Sequence, residues 1–230
     1  MRALRESHYC IAADLPGHGR SVRLPGAYAM SETLAGLRIV LKEAGAVAAA
    51  VVGYSMGGRV ALHFAVRHPE ACSRLVLESA SPGLAHTAER LERRGADEAT
   101  AIRLETDDLR AFLEDWYGRP LFHTLRARED LIKKMIESRT ANDARELARS
   151  LRSMGSGVQQ PIWESIPEVL MPSLAIVGAL DGKYVEIAQR MAVLMPMLRT
   201  AIIPNTGHNV HAERPDEYVE ILRDFLKQRS

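Results

Sequence analysis

The chain has 230 residues, a formal net charge of +1 and two cysteines, Cys10 and Cys72. That length accommodates one sizeable α/β domain, and near-neutrality removes the electrostatic basis for nucleic-acid binding. Two cysteines make neither a disulfide framework nor a metal-ligand spacing and suit a reducing, cytoplasmic setting; no signal peptide is read, and the longest apolar run, Ala46–Val52, is far too short to span a bilayer.

In chain order, Met1 to about His8 reads as a helix and Tyr9–Asp14 as a strand. A helix over Ser31–Ala44, closed by Gly45, precedes a strand at Ala48–Val52. A helix over Met56–His68, stopped by Pro69, precedes a strand at Arg74–Ser79. Further strands are predicted at Ser173–Gly178 and Arg199–Ile203, and a last helix at Asp216–Gln228. The strand runs are short and apolar without strict alternation, as in strands buried on both faces of a parallel sheet. Alternation with helices predicts an α/β fold with a doubly wound, mostly parallel sheet. From Pro82 to about Ile166 no strand is predicted, only charged amphipathic helices. The whole is read as a single domain, 1–230, with this helical insertion at about 82–166 as a cap over the carboxyl ends of the strands, where ligands bind in such sheets.

The stretch "GYSMG", Gly53 to Gly57, places Ser55 in a G-x-S-x-G pattern between a strand and a helix, the context of a nucleophile elbow. The glycines two before and two after are expected to remove Cβ atoms that would collide in so tight a turn. The Met56 N–H then points where an oxyanion would form. A serine hydroxyl needs an imidazole, and the imidazole an orienting carboxylate. "GALDGKY" places Asp181 after one strand, and "PNTGHNVHAERP" places His208 after the next, in the order Ser, Asp, His. His211 competes with His208, which is preferred for its nearness to the strand end. Arginine outnumbers lysine, which fits either a GC-rich genome or recognition of carboxylates by guanidinium groups.

These motifs resemble the α/β-hydrolase superfamily, as does "DLPGHGRS", Asp14 to Ser21, in which Asp14 and His18 are expected to be structural. A narrower resemblance is to the synthases of 2-succinyl-6-hydroxy-2,4-cyclohexadiene-1-carboxylate in menaquinone and phylloquinone biosynthesis. It is carried by "GYSMGGRVAL", "LESASPGL", "ERRGAD", "FLEDWYGRPLF", "SRTANDARELARSLRSMGSGVQQPIW", "GALDGKY" and "GHNVHAERP". The resemblance implies a lyase needing no metal or organic cofactor. Its substrate, 2-succinyl-5-enolpyruvyl-6-hydroxy-3-cyclohexene-1-carboxylate, loses a ring proton beside the succinyl ketone and expels pyruvate. Ser55 backed by His208 and Asp181 would be the base, and the Met56 N–H would hold the enolate oxygen. The substrate carries three carboxylates, so the resemblance assigns Arg59, Arg93 and Arg139 to them, with Arg94 as the alternative to Arg93. Trp116 and Tyr54 would line the pocket. On the residues alone, Arg93 and Arg139 fit a solvated helix face, and Trp116 an aromatic anchor.

The superfamily begins with further strands and an "HG" loop that supplies a second oxyanion donor, and neither is found before Tyr9. The chain is therefore expected to lack its first strands and, as written, to be a weak enzyme or none. A serine esterase on the same triad and an inactive truncated product are the competing readings. The oligomeric state is left open.

Overall fold

A computed structural model describes residues 3–227. Met1 and Arg2, which open the first predicted helix, and Gln228, which ends the last, lie outside the described residues. The chain forms two compact units. One combines the N-terminal segment through Ala13, Leu37–Ser81 and the chain from Glu164 onward; the other combines Asp14–Gly36 with Pro82–Trp163.

The first unit holds a four-stranded sheet of β1 (Ala49–Tyr54), β2 (Cys72–Glu78), β3 (Ser173–Gly178) and β4 (Leu198–Ile203), in that spatial order and parallel throughout. The helix α1 (Met30–Glu43) precedes β1, and α2 (Met56–Arg67) links β1 to β2. All six residues of β3 are buried. Side chains alternate between the faces of a strand. Val76, Leu174, Ile176 and Ile203 pack with Tyr218, Leu222 and Phe225 of the C-terminal helix, while Leu75, Leu77, Ala175 and Val177 point the other way and are also buried. Burial on both faces explains the unbroken apolar runs in the sequence.

One predicted strand does not form. Tyr9–Asp14 is extended but outside any strand, and Tyr9 is 86% exposed. A strand needs a neighbour to take its backbone bonds, and no described strand pairs with this segment; β1 ends the sheet. The predicted helix before it is, over its described residues, a set of turns in which the Ser7 and His8 N–H groups both donate to the Leu4 carbonyl, at 3.0 and 2.9 Å.

The second unit is helical over 82–163: α3 (Thr87–Thr106), α4 (Leu109–Gly118), a 3₁₀ stretch at Pro120–Ala127, α5 (Glu129–Arg139) and α6 (Ala144–Met154). Its core is built from Ala101, Leu104, Phe112, Leu113, Tyr117, Phe122 and Leu125 with Met135, Ile136 and Ala148. Asp108 and Asp143 cap α4 and α6 by accepting first-turn N–H groups. In "DLPGHGRS", Asp14 Oδ2 accepts the Arg20 N–H at 3.0 Å and closes the loop on itself, a structural use of that carboxylate.

The remaining helices of the first unit are α7 (Gly182–Leu194), α8 (Val210–Glu213) and α9 (Pro215–Lys227). At the turn from β1 to α2 the glycines divide their work differently from the expectation. A Cβ at Gly53 would lie 2.3 Å from the Gly57 carbonyl oxygen and 2.6 Å from the Gly58 nitrogen. A Cβ at Gly57 would meet nothing within 4 Å, whereas one at Gly58 would lie 2.5 Å from the Ala80 Cβ and 2.9 Å from the Gly53 carbonyl oxygen. The glycine two after the serine is therefore not the sterically required one; its neighbour is, because Gly58 is where the helix leans on the end of β2 and the turn. Gly58→Ala should cost about 1–3 kcal/mol through overpacking, whereas Gly57→Ala should be neutral or stabilising by up to about 1 kcal/mol, since alanine is the better helix former. Thermal melts of the two variants check this, and equal destabilisation would contradict it.

Candidate active site

Three parallel strands deliver the site, each from its carboxyl end. Ser55 follows the last residue of β1 and stands before α2 with φ 48° and ψ −109°. A side chain in that region stores on the order of 1–3 kcal/mol of backbone strain. The turn is held by the Ser55 N–H, which donates to the Glu78 carbonyl at 2.8 Å. The first bond of the α2 ladder runs from the Arg59 N–H to the Ser55 carbonyl at 3.0 Å. The Met56 N–H thus precedes that ladder, at the positive end of the helix.

Asp181 sits at the N-cap position of α7, yet its side chain makes no cap bond there. Its carboxylate turns instead to His208, whose Nδ1–H donates to Asp181 Oδ2 at 2.7 Å. His208 lies in the loop after β4 and is 1% exposed. A carboxylate only accepts, so the proton sits on Nδ1 and Nε2 keeps its lone pair. The Ser55 hydroxyl donates to that nitrogen at 3.1 Å. Asp181, His208 and Ser55 therefore form one hydrogen-bonded line from carboxylate to hydroxyl. The rings of Tyr184 and Tyr54 lie 4.7 and 5.5 Å from the imidazole centroid. His211, the competing histidine, is bonded elsewhere: its Nδ1 lies 2.9 and 2.8 Å from the two carboxylate oxygens of Glu78. Such a line can draw a proton onto Nε2 through the serine oxygen, with Asp181 stabilising the resulting imidazolium.

Arg59 lies one turn after Ser55 on the buried stretch Gly58–Ala65 of α2 and is itself 9% exposed. Its charge is felt at His63, one further turn along. Burial chiefly, with the cations of Arg59 and Arg67 adding, pushes the His63 pKa down from 6.5 to about 4. The other sequence-assigned residues lie in the helical unit, each with partners there. Arg93 Nε donates to Asp97 Oδ1 at 2.7 Å, one helical turn away. Trp116 stacks on Phe112 at 5.9 Å and carries the Arg119 guanidinium 4.2 Å over its ring. The Arg139 guanidinium lies 5.5 Å over Tyr117 and donates to the Met135 carbonyl at 3.2 Å. Arg94 is exposed on α3.

Two residues at the site carry no assignment from sequence: Tyr184, against the His208 ring, and Glu78. For Glu78 a signal existed: a carboxylate closing the apolar run "RLVLE" of β2 is an unusual ending for a buried strand. Among the described residues no helix is long and apolar enough to cross a membrane.

The alpha/beta hydrolase family matches residues 1–221. The 2-succinyl-6-hydroxy-2,4-cyclohexadiene-1-carboxylate synthase of Salmonella paratyphi B is 33% identical over 215 residues, covering 93% of this chain and 82% of that protein. A Bacillus subtilis protein that carries the same synthase name provisionally is 40% identical over 177 residues, which span 76% of this chain and 65% of the relative, just under two thirds of its length. The solved structure of MenH from S. aureus superposes with a TM-score of 0.89 at 34% identity, covering 93% of this chain and 81% of that one.

The His63 environment gives a pH test. Its folded pKa of about 4 lies below the unfolded value of 6.5, so between those values the unfolded chain binds more protons. Stability is then full above pH 6.5 and is lost as the pH falls from 6.5 to about 4. His63→Gln should flatten the stability–pH curve in that window by up to about 1.4 kcal/mol per pH unit. Denaturant titrations at several pH values measure the slope, and identical slopes in both proteins would contradict the assignment.

Proposed function

We propose, from the premise that this chain belongs to the alpha/beta hydrolase family, that it is a carbon–oxygen lyase forming 2-succinyl-6-hydroxy-2,4-cyclohexadiene-1-carboxylate. The observation that carries the reading is the line Asp181–His208–Ser55, with the imidazole poised as a base and the serine oxygen between it and the site; the 33% identity to a synthase of that name supplies the substrate class. The substrate's ring proton beside the succinyl ketone is acidified by that carbonyl. Ser55 Oγ takes this proton as His208 Nε2 takes the hydroxyl's, so the net transfer is from carbon to imidazole. The electrons left on the ring pass through the dienolate and break the carbon–oxygen bond to the enolpyruvyl group. The leaving enolate recovers the proton and becomes pyruvate. No acyl-enzyme forms, and Ser55 acts as a proton relay. The Met56 N–H, ahead of the α2 ladder, is the donor for the developing enolate oxygen. Asp181 holds the imidazole tautomer.

Arg59 is proposed to bind a substrate carboxylate, with Tyr54 packed beside the imidazole as an apolar wall. A guanidinium forks onto a carboxylate with two parallel bonds. Arg93, Trp116 and Arg139 remain proposed substrate contacts on the family resemblance, although each already has a partner within its own unit. A cytoplasmic location is part of this proposal, supported by two cysteines outside any disulfide, Cys10 and Cys72, which suit a reducing setting.

Pyruvate release from the tricarboxylate substrate, read beside hydrolysis of a simple aryl ester, tests the reaction class. Pyruvate release with little ester turnover is expected, and ester hydrolysis with no pyruvate would overturn the lyase reading in favour of an esterase. In the same assays Arg59→Ala should lower kcat/KM for pyruvate release by about 2–4 kcal/mol in transition-state terms. Arg59→Lys should recover only part of it, because a point charge cannot fork. An unchanged kcat/KM in Arg59→Ala would remove Arg59 from the site.

A further inference from the structure

Glu78 ends β2 and is 1% exposed. A buried carboxylate is costly unless its oxygens are bonded, and Glu78 has partners beside two of the triad residues. The Glu78 backbone carbonyl accepts the Ser55 N–H at 2.8 Å. The side chain accepts the His211 N–H at 3.0 Å and the His211 Nδ1–H at 2.9 and 2.8 Å. The Tyr218 hydroxyl of α9 is a further hydrogen-bond partner of Glu78, and burial together with that carboxylate raises its pKa. His211 is three residues past His208, and the Tyr54 ring packs on both imidazoles, 5.0 Å from His211 and 5.5 Å from His208. One residue therefore grips the strained elbow with its main chain and the histidine loop with its side chain.

The loop is also shaped by bonds of its own. The Gly207 N–H donates to Glu213 Oε2 at 3.0 Å, and the Glu213 and Ala212 N–H groups donate to the Asn209 carbonyl at 2.9 and 3.2 Å. These local bonds give the segment its turn, and the Leu180 N–H, donating to the Thr206 carbonyl at 2.9 Å, ties its start to the end of β3. The bonds to Glu78 tie its later part to the strand end that also holds the Ser55 backbone. We propose that Glu78 is a positioning residue for the triad, acting through His211 to hold the His208 loop in register with Ser55. This rests on the reading of Ser55, His208 and Asp181 as a working triad. A misplacement of about 1 Å costs on the order of 10²-fold in reactions of this kind, so such a tie has kinetic weight beyond its contribution to folding.

The test reads triad competence without the lyase substrate. A serine-directed alkyl fluorophosphonate reacts when Ser55 Oγ attacks phosphorus, fluoride departs and the hydroxyl proton passes to His208. The second-order labelling rate is measured per folded molecule, with the folded fraction from circular dichroism and Ser55→Ala as the unlabelled control. Glu78→Ala should slow labelling tenfold or more, and His211→Ala, which loses the imidazole bonds but keeps the backbone N–H on Glu78, should slow it several-fold. The double variant should be no slower than Glu78→Ala, because Glu78→Ala already removes both kinds of bond to His211. Glu78→Gln keeps an acceptor for the His211 N–H and should recover most of the rate. If Glu78→Ala fails to fold, His211→Ala decides, since that side chain is 44% exposed and its loss opens no core cavity. Labelling at the wild-type rate per folded molecule in His211→Ala would overturn the proposal, as would rate losses that merely follow the folded fraction. A wild-type chain that does not label at all would overturn the triad reading itself, and with it this inference. Labelling that depends on Glu78 while no pyruvate is released would overturn only the lyase assignment.

Discussion

The hydrogen bond from His208 Nδ1–H to Asp181 Oδ2, 2.7 Å long, is the interaction on which the rest of the site depends. It places the imidazole proton on the side away from Ser55 and so leaves Nε2 free to accept. Without it the ring could present either nitrogen, and half of those arrangements have no base. The bond requires Asp181 to forgo the N-cap role that its position before α7 invites. It also requires the ends of β3 and β4 to come side by side, which the parallel register Gly178 opposite Ile203 provides. The sheet is thus the device that brings the carboxylate and the imidazole together over 27 residues of chain.

Ser55 meets that imidazole only because its backbone is held in a conformation that an ordinary residue avoids. The strain persists because the surroundings over-determine it. The Ser55 N–H is fixed on the Glu78 carbonyl, and Gly53 and Gly58 let the turn, the helix and Ala80 approach more closely than any Cβ would allow. The buried stretch of α2 then anchors the helix from its first turn. Strain at the serine, close approach at two glycines and the reach of Glu78 are therefore parts of one arrangement at the adjoining ends of β1 and β2.

Much of this was legible in the sequence, and for reasons that can be stated. "GYSMG" between an apolar run and a helical pattern is a local signal, because the turn geometry acts on neighbouring residues. Asp181 and His208 were readable because loops that follow buried strands occupy the same end of a parallel sheet. Other features depend on long-range contacts that a linear pattern does not carry. Tyr9–Asp14 has the composition of a strand, but strand formation is decided by a partner, and none of the described strands provides one. Gly57 matched the motif while the steric demand fell on Gly58, because that demand is set by Ala80, 22 residues away. Arg93 resembled a ligand-binding cation by family pattern, yet its guanidinium is bonded to Asp97 on its own helix. Glu78 stood in a quoted motif without a role, since its meaning depends on His211, 133 residues further on.

The central claim is that Ser55, His208 and Asp181 act as one proton-transfer unit in pyruvate elimination. The most direct measurement is single-turnover pyruvate release from the tricarboxylate substrate by Ser55→Ala, His208→Ala, Asp181→Asn and their pairwise combinations, each checked for folding. The account predicts rate losses of orders of magnitude in each single variant and little further loss in the pairs, because members of such a unit are not additive. Near-wild-type pyruvate release by Ser55→Ala or His208→Ala, or fully additive losses in the pairs, would contradict it.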